Sequence, residues 1–272
     1  MLTVNEIIDF FKLQNSHAKK ELGQNFLINN QVCDFIVSKL DIVEADKVLE
    51  IGPGLGALTD IIVNKSSNYT VVEYDQKFVD FLSREYEGKI NIIKNNILKF
   101  RDFSFNKVIG NLPYYITTDI IEFIATKFEK LDKAVFMIQK ECFRRITAKS
   151  GKDYNAINIL LSYLYDVKEE CIVKKDNFFP APKVDSLVFS LTRNQQKEWC
   201  FAGFLYKTAK ICFSNRRKTI ANNLVSMIKD RGVCEDILTA INLKITSRAE
   251  ELTLSDFENL TKVLLNKGIY KL

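Results

Sequence analysis

Histidine is almost absent from this 272-residue chain: His17 is the only one, and it lies in a polar N-terminal stretch. A His-based metal centre is therefore implausible, and a Ser-His-Asp or Cys-His triad would hang on that one residue, so hydrolase chemistry is not expected and no metal ligands are assigned. The six cysteines (Cys33, Cys142, Cys171, Cys200, Cys212 and Cys234) form no C-x-x-C pair, which indicates neither a zinc knuckle nor a disulfide framework. No run approaches the roughly 18 uninterrupted apolar residues of a membrane helix. The opening segment MLTVNEIIDFFKLQ carries acids among its apolar residues, where an export signal would show a basic stretch and then an apolar block. A cytoplasmic chain without membrane attachment is expected. Proline is scarce too: the four are Pro53, Pro113, Pro180 and Pro182, and none lies in an idle linker. Because proline fixes φ and removes a donor, such sparing use marks three particular loops.

What is present is an ordinary globular composition, 47% hydrophobic and 27% charged. Short β-branched apolar runs recur at 47–51, 69–73, 90–94, 107–110 and 134–138, with two further strand candidates near 166–173 and 186–191. Helix-period segments separate most of them, at 57–63, 76–86 and 118–128. That alternation predicts an α/β fold, a Rossmann-like, mostly parallel seven-stranded sheet that binds ligands at the carboxyl ends of its strands. From Glu198 onward the strand pattern stops and helical spacing takes over. The expected division is a catalytic domain over 1–194 and a small all-α domain over 195–272. The latter segment holds 13 of the 39 basic but only 8 of the 34 acidic residues, so the remainder is balanced at 26 of each. The whole +5 surplus is C-terminal, which suggests an anionic partner reached by that segment, nucleic acid first among candidates.

Directly after the first strand comes EIGPGLGA, residues 50–57. Glycines at this turn let a ligand approach the backbone, and Gly52, Gly54 and Ala57 formally satisfy the dinucleotide fingerprint. Pro53, however, removes one N–H that a diphosphate cradle would use. Glu73, 21 residues past Gly52 at the end of the second strand, is placed to accept from both hydroxyls of a ribose. S-adenosylmethionine, an adenosine without phosphates, fits both features. A nicotinamide-dependent oxidoreductase on the same turn fits them poorly. After the fourth strand, GNLPYYIT (110–117) supplies an amide, a rigid proline and an aromatic. A planar base can stack on Tyr114 while the Asn111 carbonyl oxygen and a nearby main-chain carbonyl accept from an exocyclic amine; Pro113 would fix that geometry.

The ordered set GQNFL (23–27), LEIGPGLGALT (49–59), VVEYD (71–75), GNLPYYITT (110–118), FFPAPKVDS (178–186) and FSNRRKTIANNL (213–224) resembles the ribosomal RNA adenine dimethyltransferases, and more closely their small-subunit branch. The resemblance implies methyl transfer from S-adenosylmethionine, twice onto the exocyclic nitrogen of two adjacent adenosines in a hairpin loop near the 3′ end of 16S rRNA. It implies the small ribosomal subunit and its rRNA as partners and a role in small-subunit biogenesis; nothing suggests an obligate dimer, and a monomer is expected. Carried over by position, Gln24, Asn25 and the Leu27 backbone touch the methionine end, with Gly52 and Gly54 beneath it. Asn111, Leu112, Pro113 and Tyr114 form the catalytic loop, Asn111 also bordering the cofactor, and Phe178, with Phe179 the alternative, covers the face of the target base opposite Tyr114. Tyr115 is expected to pack. The family places an aspartate against the cofactor's adenine, but here that register falls on Asn96, whose uncharged amide oxygen is a weaker acceptor, with Asn95 the alternative one residue away. Lys19, Lys20, Lys207, Lys210, Arg216, Arg217 and Lys218 are candidate RNA contacts. Two rival readings are a large-subunit methyltransferase of the antibiotic-resistance branch and an assembly factor whose catalysis is secondary. Leu112 in the loop and the FFPAPKVDS and FSNRRKT runs favour the small-subunit branch over the first, and the intact 111–114 loop speaks against the second.

Overall fold

The computed structural model describes residues 1–18 and 24–270. Seven strands form one sheet: β1 (Val48–Ile51), β2 (Tyr69–Glu73), β3 (Asn91–Lys94), β4 (Lys107–Asn111), β5 (Lys133–Gln139), β6 (Tyr165–Val173) and β7 (Ser186–Arg193). Their order across it is β3-β2-β1-β4-β5-β7-β6. The pairs β1 with β2, β2 with β3, β1 with β4 and β4 with β5 are parallel, and β5 with β7 is antiparallel. Every residue of β1 and β2 is buried, which is why those runs show no polar alternation, with Glu50, Thr70 and Glu73 buried among apolar neighbours. The strand order reverses between β1 and β4, and a doubly wound sheet opens a crevice at that point. The carboxyl ends of those strands are Ile51 and Asn111, so the glycine turn and the NLPYY loop leave the sheet side by side.

The connecting helices follow from local chemistry. Asp75 accepts from the Lys77 N–H at 3.1 Å and starts the helix Gln76–Glu85. The helix expected over 118–128 occupies Thr117–Lys127. The one expected over 57–63 shrinks to Thr59–Ile62, because Gly54 and Gly56 take φ of 57° and 82° and hold the chain in a non-helical turn up to Leu58. Away from the sheet, Phe26 and Leu27 pair antiparallel with Phe179 and Phe178, which joins the QNFL and FFPAPKVDS segments. Phe10 and Phe11 of the N-terminal helix Val4–Leu13 pack on Phe26 and Phe78.

The chain divides into two compact units, Met1–Phe143 with Val167–Arg193, and Arg144–Asp166 with Asn194–Leu272. The expected division after 194 put 144–166 in the first domain; the structure groups them with the C-terminal segment. The cause is the helix Ala156–Leu164, which is buried almost all round and packs on Trp199–Cys212, with the rings of Tyr163 and Phe201 5.5 Å apart. The second unit continues through the helices Ile220–Ile228, Arg231–Ala240 and Leu254–Asn266. Its basic turn is fixed from inside: buried Asn223 donates to the Cys212 and Asn215 carbonyls at 2.6 and 3.1 Å. Among the described residues, no helix is long and apolar enough to cross a membrane.

Candidate active site

At the crevice of the first unit lies a cavity of about 390 Å³, a size suited to a small cofactor. Gln24, Asn25, Leu27, Gly52, Gly54, Glu73, Asn96 and Asn111 all border it, and so does Asn95. Five chain segments far apart in sequence therefore meet where the topology requires. Lys19 and Lys20 lie outside the described residues.

The hydrogen bonds of the glycine turn decide what can bind there. The Gly52 N–H donates to the Val72 carbonyl at 2.9 Å, the Gly54 N–H to Glu73 Oε2 at 3.1 Å and the Gly56 N–H to the Pro53 carbonyl at 2.9 Å. With Pro53 lacking a donor and the three glycine N–H groups engaged, the turn is poorly equipped to cradle a phosphate. Glu73 would also repel one. Its Oε1 accepts from the Tyr74 and Asp75 N–H groups at 2.7 and 2.8 Å. Burial raises the Glu73 pKa against the pull of these three main-chain bonds. A carboxylate offers about four lone-pair positions; with three occupied, one remains for a neutral donor such as a hydroxyl.

Glu50, at 2% exposure, lies behind the turn and accepts from Thr59 Oγ1 at 2.7 Å and from the Tyr69 hydroxyl. Burial pushes its carboxyl up to about 7, although both hydrogen bonds oppose that rise. A carboxyl that holds its proton more tightly when folded makes the native state the better proton binder at intermediate pH. Its contribution to stability is then greatest below its ordinary value of 4.5, falls until about 7 and is level above. Urea unfolding at several pH values should show that fall, and Glu50→Gln, which cannot ionise, should remove it. An equally steep fall in the Gln variant would place its origin elsewhere.

At the other end of the cavity, Asn111 donates from Nδ2 to the Asn25 carbonyl at 3.2 Å. An amide whose nitrogen is held by a carbonyl presents its oxygen on the other side, so Asn111 offers the cavity an acceptor. Leu112, expected in the catalytic loop, has its side chain buried and its N–H bonded to the Met137 carbonyl at 3.0 Å; only its carbonyl is available for chemistry. Pro113 borders the cavity, but its own carbonyl already accepts from Thr117 Oγ1 and the Ile116 N–H. Two aromatic expectations change. Tyr114 is half-buried with its hydroxyl 3.2 Å from Ser186 Oγ, which fastens the NLPYY loop to the end of the FFPAPKVDS run. Tyr115, expected to pack, is 59% exposed and borders the cavity. Phe178 does not border it: at 3% exposure it belongs to the core, because its pairing with Leu27 turns both inward, and Phe179 is the partly exposed neighbour.

Sequence reasoning missed the contribution of the N-terminal helix. Leu2 and Ile7 border the cavity, and the signal was available in the helical spacing of Ile7, Phe10 and Phe11, which are buried together. Tyr74, 68% exposed, was also overlooked although it directly follows Glu73 and borders the same space.

In the second unit the basic residues separate into two kinds. Arg216 donates to the Tyr154 carbonyl, pairs with Glu250 at 3.4 Å and stacks 5.5 Å from the Phe213 ring centre. It is a brace of the turn. Arg217 and Lys218 are exposed, as are Lys207 and Lys210, whose ammonium groups lie 4.9 and 5.3 Å from the rings of Tyr270 and Tyr206.

The chain is similar to proteins of known type over nearly its whole length. The ribosomal RNA adenine dimethylase family model matches residues 15–264. A ribosomal RNA small subunit methyltransferase A from Malacoplasma penetrans is 41% identical over 256 residues, covering 91% of this chain and 92% of the relative. One from Lactobacillus johnsonii is 36% identical over 272 residues, covering 92% of each. Among solved structures, a dimethyladenosine transferase from Plasmodium falciparum superposes with a TM-score of 0.76 at 24% identity, covering 89% of this chain and 98% of that one; this likeness concerns the fold.

Proposed function

The chain belongs to the ribosomal RNA adenine dimethylase family, and from that premise we propose that it dimethylates the exocyclic amines of two adjacent adenosines in a hairpin loop near the 3′ end of 16S rRNA. It is an S-adenosylmethionine-dependent methyltransferase. When bound, S-adenosylmethionine supplies an electrophilic methyl on a sulfonium. The chain's own residues do the rest. Glu73 accepts from a ribose hydroxyl, and the glycine turn, its three glycine N–H groups engaged, receives the phosphate-free middle of the cofactor. Gln24, Asn25 and Leu27 border the methionine end.

The observation that carries this reading is the amide oxygen of Asn111, turned into the cavity by the bond from Nδ2 to Asn25. An adenine amine is a poor nucleophile because its lone pair is delocalised into the ring. Two acceptors drawing on its N–H groups favour a pyramidal nitrogen, and no strong base is needed. The Leu112 carbonyl is the second acceptor, since that of Pro113 is taken. A target base must leave its stack to reach this point, and aromatic surface replaces the stacking it loses. Tyr114 flanks the loop and Tyr115 stands at the rim; Phe178, being in the core, backs this surface and does not stack. Action on the small subunit, the cytoplasm as the place of action and a monomeric state are part of the same proposal. The test is to incubate the protein with tritiated S-adenosylmethionine and undermethylated small subunits and to map the labelled nucleotides. Label on the two adjacent adenosines is expected; label on large-subunit rRNA would move the chain to the resistance branch.

For RNA contact we propose Lys207, Lys210, Arg217 and Lys218, with Lys19 and Lys20 as further candidates, while Arg216 braces the turn that presents them. Each phosphate neutralised adds about 0.7–0.9 to the slope of log affinity against log salt. A double Arg217→Ala, Lys218→Ala protein should therefore lose roughly 1.5 from that slope in titrations of rRNA fragments at several salt concentrations. An unchanged slope would remove the pair from the footprint.

A further inference from the structure

Two asparagines that follow different strands border the cavity, and they present opposite chemistry. Asn111 has its nitrogen engaged and shows an oxygen. Asn96 is the reverse. Its Oδ1 accepts from the Leu98 N–H at 2.9 Å and caps the short turn Ile97–Lys99. A main-chain N–H can be met only by an acceptor, so the arm facing Leu98 is the oxygen and the arm left for the cavity is the NH₂ group. An aspartate capping the same turn would leave a second oxygen there instead.

The position of Asn96 says which part of a ligand it meets. It follows β3, the strand paired with β2, and the Asn95 N–H donates to the Glu73 carbonyl at 3.0 Å, so the two strand ends are tied together. A nucleoside whose ribose is held at Glu73 directs its base either back into the sheet, which is closed, or along this edge toward Asn95 and Asn96. This step rests on the reading of the cavity as an S-adenosylmethionine site. We infer that Asn96 donates a hydrogen bond to an acceptor on the edge of the cofactor's purine, and that the site consequently does not select for the exocyclic amine. Adenine offers N1 on that edge and hypoxanthine offers O6; an amide N–H can pair with either. A carboxylate at this position can only accept, so it would select the amine of adenine and repel the O6 of a 6-oxopurine.

Calorimetry on the full chain with S-adenosylhomocysteine and its 6-oxo counterpart S-inosylhomocysteine tests this without turnover. The wild-type protein should bind the two with similar affinity, and Asn96→Asp should prefer the adenosyl compound by a factor at least five times larger than the wild type does. Any smaller difference between the two proteins overturns the inference. Should Asn96→Asp not fold, Asn96→Ala serves: it should lose affinity for both compounds alike, whereas a loss confined to the adenosyl compound would show that the amide oxygen takes the amine, and the inference is wrong. If the wild type binds neither compound, it is the cofactor reading itself that fails.

Discussion

Alanine in place of Asn111 is expected to lower the rate of methyl transfer by about 10²–10³-fold, the usual cost of removing one polar group aimed at the reacting centre. Cofactor affinity should change by less than about tenfold, or 1.4 kcal/mol, because the proposed site holds the nucleoside at Glu73 and the glycine turn and not at Asn111. The comparison with Asn111→Asp isolates the reason. A carboxylate is the stronger acceptor, and if acceptor strength alone mattered the aspartate would transfer methyl groups well. But the Asn111 side chain is oriented by its donation to the Asn25 carbonyl at 3.2 Å. Aspartate has no hydrogen to give there, and two oxygens would face each other at that separation. The aspartate variant should therefore also lose most of its activity, in single-turnover assays with a saturating rRNA fragment. Wild-type rates in Asn111→Asp would sink the claim that the amide's orientation, set from Asn25, is what readies the target nitrogen.

That orientation marks the boundary of what the sequence could tell. The strands were legible because a strand buried on both faces is mostly apolar without alternation, and β1, β2, β4 and β5 carry such runs with their polar residues few and mainly at the ends. The crevice was legible because strand order and turn chemistry both put ligands at carboxyl ends. Choices between adjacent residues were not. Tyr114 and Tyr115 share a 3₁₀ turn, Tyr114–Ile116, in which each residue rotates by about a third of a circle, and composition does not say which ring faces the cavity. Phe178 and Phe179 alternate across a two-residue strand, and only the pairing with Phe26 and Leu27 fixes which one points inward. The helix Ala156–Leu164 reads AINILLSYL, apolar on nearly every side, so periodicity could not assign it to either unit. For Asn96 the residue type suggested a weaker acceptor; the bond from the Leu98 N–H, invisible in the sequence, engages its oxygen and leaves the NH₂ group as the remaining arm.

The largest expected effect on stability comes from a residue that carries no chemistry. Gly110 lies in β4, next to Ile51 of β1, and a Cβ built on it would stand 2.7 Å from the Ile51 carbonyl oxygen, 3.1 Å from Leu112 Cδ2 and 3.3 Å from Ile51 Cβ. Its φ is not in the left-handed region, so the demand for glycine here is one of space: a second backbone approaches too closely for any side chain. The nearest obstacle is main chain in the middle of a buried sheet and cannot swing aside as a side-chain tip would. Gly110→Ala should therefore cost about 3 kcal/mol or more, toward the upper end for overpacking, and should displace Asn111, the next residue, from Asn25. Gly203 provides the contrast. It lies inside the helix Trp199–Cys212 with nothing within 4 Å of its built Cβ. There the same substitution should stabilise by roughly 0.5–1 kcal/mol, through helix propensity and a less flexible unfolded chain. Urea unfolding followed by circular dichroism should move the two midpoints in opposite directions. If Gly110→Ala unfolded at the wild-type midpoint, β1 and β4 could not be as close as described, and the side-by-side exit of the glycine turn and the NLPYY loop, on which the shared cavity depends, would have to be given up.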